Sequence, residues 1–170
     1  MFTQKALLTK WGLYGLALLA LIAVQQLVLD ALPWWGGIVP FLMPMTVAVV
    51  AALEGPTAGA VFGIFVGALC DLAGHGVFAG VYTISFFCIA LSVAILAKYW
   101  VMRNVFGSLI WALLAFAVID GIQWLYLALA HHAEAAVVLE LAAREGAVSL
   151  LFVIPIFLLY SFLFRLFRYE

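Results

Sequence analysis

The chain has 170 residues, 69% of them hydrophobic and 9% charged, with a formal net charge of −1 and a mean hydropathy of +1.30. Soluble domains carry roughly 25% charged residues, so this composition excludes an ordinary soluble fold and implies a single polytopic membrane domain over residues 1–170. No basic cluster is available for nucleic acid, and Cys70 and Cys88 fall inside apolar segments without a CxxC pair, as inert core thiols do.

In chain order the hydropathy predicts an all-α membrane protein with six transmembrane helices. Lys5 and Lys10 precede a first span at 11–29, read as a retained helix and not a cleaved signal. Trp11 and Tyr14 suit an interface. Asp30, Pro33, Trp34, Trp35, Gly36 and Gly37 form a short loop. The second span, 38–53, carries Pro40 and Pro44 in its first turns, where a missing amide hydrogen is tolerated. Glu54-Gly55-Pro56 is a tight turn into a third span at 56–73, which Gly74-His75-Gly76 ends. The fourth span is 77–97, an interfacial loop follows from Lys98 to Asn104, and the fifth span is 105–129. Residues 131–145 read as a short amphipathic surface helix before the last span, 146–164, which Pro155 should kink.

Six spans place both termini on one side. Lys5, Lys10, Lys98, Arg103, Arg165 and Arg168 then share that side and only Arg144 lies opposite. By the positive-inside rule the termini are expected in the cytoplasm.

Within the spans, Gly55, Gly59, Gly63 and Gly67 recur every four residues and Asp71 continues the row. A step of four advances about 400° on a helix, so the row winds slowly and leaves a groove for close approach of a second helix. The ridge serves internal packing or receives a partner helix. Asp71 lies 15 residues beyond Pro56, Asp120 lies 15 beyond Val105, and Gln25 and Gln26 lie 14 and 15 beyond Trp11. At about 1.5 Å per residue all four sit ~21–23 Å above the inner boundary, with Gln123 one turn further out. Because no Lys or Arg lies in any expected span, the carboxylates must pair with His75, Arg144, an amide, a helix end or another protein; Asp71 and Asp120, if they face each other, would share a proton. This layer is internal hydrogen-bonded glue, a receptor for a partner helix, or the lining of an outward small-molecule pocket.

Catalytic and metal signatures are absent from the sequence. Ser85, Ser92 and Ser149 have no His at catalytic spacing, and no Walker loop, GxSxG or HExxH occurs. His131, His132 and Glu134 read as a solvated cluster, since adjacent histidines point about 100° apart on a helix. No enzyme activity, cofactor or metal is therefore expected.

The run Gly59-xxx-Gly63-xxx-Gly67-Ala-Leu-Cys-Asp71-Leu, followed by Gly76 to Gly80, resembles the bacterial rod shape-determining protein MreD family, as do the chain's size and six-span frame. That family typically has Gly-Leu-Leu-x-Asp where this chain has Gly67-Ala68-Leu69-Cys70-Asp71. The resemblance implies a non-enzymatic role in cell elongation and peptidoglycan synthesis. The implied partners are the scaffold MreC and, through it or directly, the filament protein MreB, the polymerase RodA and the elongation transpeptidase. It also implies a fold like that of the substrate-binding subunits of energy-coupling-factor transporters, which supplies the alternative of a vitamin-type binding subunit. Those subunits dock through an alanine-xxx-alanine pattern on the first helix. Here Gly12 meets Leu16, Gly15 meets Leu19, Ala17 meets Leu21 and Ala20 meets Val24, which places that alternative second.

Overall fold

The computed structural model describes residues 4–31, 38–73, 78–99, 104–131 and 135–167, and every regular element among them is helical. Helix α1 (Gln4–Val24) runs on into a π-helical turn, Gln25–Leu29. It is followed by α2 (Met43–Glu54), α3 (Pro56–Leu72), α4 (Val81–Tyr99), α5 (Val105–His131) and α6 (Ala135–Ser149). A 3-10 turn, Leu150–Phe152, joins α6 to α7 (Val153–Leu166).

Helix α2 is the axis of the bundle. Its sequence is apolar all round, the pattern of a helix buried on every side, and Met43 to Leu53 are all buried against α3, α4, α5 and α7. Ala48, Ala51 and Ala52 keep its girth small. Leucines and phenylalanines on the outer helices point away from this core, among them Leu8, Leu16, Leu27, Phe106 and Leu129. An apolar surface of this extent fits lipid as solvent.

The helix lengths revise the expected spans. Four segments among the described residues are long and apolar enough to cross a membrane, namely 7–29, 81–99, 105–129 and 140–166. Helices α2 and α3 are shorter, at 12 and 17 residues. The second expected span, 38–53, is helical only from Met43, because Pro40 cannot donate a helical hydrogen bond and biases Val39 to extended backbone. Pro44 does lie in the first turn of α2, whereas Pro40 lies outside the helix.

The last span is also redrawn. The expected boundary at 145/146 falls inside α6, which continues through the 3-10 turn into α7, so that residues 140–166 form one stretch long and apolar enough to span, with Glu145 inside it. Pro155 acts just upstream of itself. It cannot donate to the Leu151 carbonyl and its ring crowds that group, and the tightened 3-10 turn at 150–152 absorbs the conflict. The expected loops at 33–37, 74–76 and 100–103, and the cluster His132 to Glu134, lie outside the described residues.

Helices α3 and α4 form an antiparallel hairpin, since Gly63 meets Phe86 and Ala90 while Gly67 meets Thr83. One end of the bundle carries Lys10 and, across the α1–α7 contact, Phe164, whose ring lies 5.3 Å from the Lys10 ammonium. Arg165 is next to Phe164 in α7, and the hairpin brings Lys98 to the same end. The opposite end holds Gln25, Asp71 and the start of α4.

Candidate functional site

The glycine row is an internal seam. A Cβ on Gly59 would stand 2.7 Å from the Cα and Cβ of Ala51 in α2. One on Gly63 would stand 2.7 Å from the Phe86 carbonyl oxygen, and one on Gly67 2.5 Å from the Thr83 Cα, both in α4. As the row winds round α3 it passes from one neighbour to the other, so three glycines serve two helices. Gly55 does not belong to the ridge. It sits at the α2–α3 turn with φ +92°, a left-handed conformation that favours glycine, and its Cβ position is open.

Asp71 closes the same seam. Its carboxylate accepts hydrogen bonds from the Tyr82 amide (3.1 Å), the Thr83 amide (3.0 Å) and the Thr83 hydroxyl (2.7 Å). These amides belong to the first turn of α4, where backbone donors have no helical partner and the helix dipole favours an anion. Gly80, with φ +88°, turns the chain into that cap. Of the partners open to Asp71 in sequence, a helix end is the one it finds.

Gln25 has a similar structural task. Its amide nitrogen donates to the Pro40 carbonyl (2.8 Å) and to Asp30 (3.0 Å), and its amide oxygen accepts from the Leu42 amide (3.0 Å). The Phe41 amide donates to Ser149 in α6 (2.9 Å). Residues 38–42 are irregular backbone, and at membrane depth such backbone survives only where protein or a cavity satisfies it.

Around these groups lies a cavity of about 620 Å³ at the Gln25 end. Its apolar wall includes Leu19, Ile22, Val39, Phe41, Met43 and Leu69, and its polar groups are Gln25, Gln26, Asp30, Tyr82 and Glu145. Gln123 hydrogen-bonds the Tyr82 side chain. Asp120 has Glu145, and not Asp71, as its charged neighbour. Gln25, Gln26 and Tyr82 thus converge on one cavity, with Asp71 behind Tyr82, Gln123 beside it and Asp120 behind Glu145.

Sequence reasoning misses three features. Glu145 is hidden by the misplaced span boundary, and Ser149 by its distance of 108 positions from Phe41. The third is at the opposite end, where Glu54 accepts from the Lys10 ammonium and the Tyr14 hydroxyl, each at 2.6 Å. Lys10 and Tyr14 are four residues apart and so share one face of α1, and Glu54 ends α2 beside a turn. That spacing is a signal, although it names no partner. No group of three metal-ligating side chains occurs among the described residues. No protein-family model, no curated protein and no solved structure matches the chain.

Proposed function

We propose that the chain is a non-enzymatic integral membrane component of the bacterial cell-elongation machinery, of the rod shape-determining MreD type, that binds the scaffold MreC and helps organise peptidoglycan synthesis with MreB, RodA and the elongation transpeptidase. One observation supports this reading most. The residues that carry the resemblance, Gly59, Gly63, Gly67, Asp71 and Gly80, are a single structural unit that packs α3 on α2 and α4 and caps α4. A motif of that kind specifies a fold, and with the interior so used, recognition falls to the lipid-facing and exposed surfaces. In this reading α2 and α3 count as crossings alongside the four longer helices. Six crossings bring both termini to the Lys10 end, and the positive-inside rule places that end in the cytoplasm of an inner-membrane protein.

Co-expression with MreC followed by mild purification tests the proposal. Stoichiometric recovery of MreC is expected, and recovery of an ATPase with a coupling subunit instead would overturn it. The vitamin-type binding subunit stays the second reading, favoured by the cavity of about 620 Å³.

A further inference from the structure

The cavity at the Gln25 end falls within the roughly 300–1,000 Å³ range of ligand pockets and pairs an apolar wall with a few convergent polar groups. Irregular backbone lines it, through Ile38, Val39 and Phe41 of the non-helical segment and Gln25 and Gln26 of the π-helical turn, a setting frequent at functional sites. Gln25 is consumed by contacts to Pro40, Leu42 and Asp30, so the lining groups left for a ligand are Gln26 and Glu145. The two charged lining residues are both acidic, and no Lys, Arg or His lines the wall among the described residues. Glu145 is half-buried, has no hydrogen-bond or ion-pair partner among the described residues, and lies within reach of a second carboxylate, that of Asp120.

A half-buried carboxylate without a partner, on the wall of an apolar cavity, calls for a proton or a cation. An inorganic cation would leave the apolar wall unused, and an anionic ligand would meet carboxylates alone. We propose that this cavity binds an organic cation with an apolar body, its ammonium held by Glu145 and its body against Leu19, Ile22, Phe41 and Leu69. The inference rests on the cavity and stands apart from membership of the elongation machinery.

Tryptamine and indole-3-propionate share a ring and a similar length but carry opposite charge, and they serve as probes. Each is titrated calorimetrically into the full chain in phosphatidylcholine nanodiscs, with empty nanodiscs as the blank. Saturable 1:1 binding of tryptamine is expected, with none for indole-3-propionate, and Glu145→Gln should weaken tryptamine by about tenfold or more. Equal binding of both probes, binding of neither, or an unchanged affinity in Glu145→Gln would each overturn the proposal. Should Glu145→Gln fail to fold, Ile22→Trp adds bulk to the cavity wall from α1 and leaves Glu145 in place, and saturable tryptamine binding unchanged by it would be equally fatal.

Discussion

Asp71 spends its carboxylate on three donors from the first turn of a neighbouring helix. Hydrogen bonds to a charged group contribute roughly 1.5–3 kcal/mol each, and burying the orphaned donors costs more of the same order. Asn keeps one acceptor oxygen and can donate to the Thr83 hydroxyl, but its amide cannot accept from a second backbone N–H. Asp71→Asn is therefore expected to lower the thermal midpoint of the purified protein modestly and Asp71→Leu severely. Equal damage from both would show that the charge matters more than the acceptor geometry. Gly67 supports a sharper contrast. An alanine methyl there would meet Thr83 backbone at 2.5 Å, whereas at Gly15 it meets nothing within 4 Å. Overpacking of this kind costs about 1–3 kcal/mol, so Gly67→Ala should deplete folded protein in the membrane while Gly15→Ala leaves it unchanged. The sequence marks both residues, because a carboxylate and a four-residue glycine row are conspicuous in an apolar segment. It cannot name their partners, because the donors to Asp71 lie 11 and 12 positions away across a turn.

At the scale of elements, α1 is the most loosely held, packing mainly along α7 and tied at its two ends. Lys10 and Tyr14 bind Glu54 at one end, and Gln25 binds Pro40 and Leu42 at the other. The Lys10 and Glu54 side chains are only 14% and 8% exposed, so removing one partner leaves a buried charge, a loss of order 3 kcal/mol. Lys10→Met should thus lower the thermal midpoint more than the double variant Lys10→Met/Glu54→Gln, in which no charge is left unpaired. A double variant worse than the single would show the pair to be solvated and weak. Element existence is legible throughout, since α3, α4 and α5 fall within a few residues of their expected limits. The errors cluster where backbone chemistry competes with hydropathy. Hydropathy runs smoothly through Pro40, and it continues across 145/146 where the charges of Glu140, Arg144 and Glu145 suggest a surface helix. Glu140 and Arg144, both inside the stretch 140–166, pair with each other one turn apart on an exposed face of α6.

For the whole molecule, Lys10, Lys98 and Arg165 gather at one end, and that end is proposed to be cytoplasmic. Reporter fusions at both termini and at Arg103 should read inside, and fusions at Asp30, Gly76 and Ala136 outside. A terminus read outside would overturn the orientation and the six-crossing count together. The cavity is the part least legible in sequence. It is assembled from α1, the segment before α2, the end of α3, the start of α4 and α6, and no local pattern announces such a convergence. The account's central claim is that the glycine seam builds the fold and leaves partner recognition to the surface. Its most direct test is the amount of MreC recovered per folded molecule of Gly67→Ala, set beside total abundance in the same membranes. Abundance should fall while MreC per folded molecule stays at the wild-type ratio; wild-type abundance with MreC lost would show the ridge to be a docking face and contradict the account.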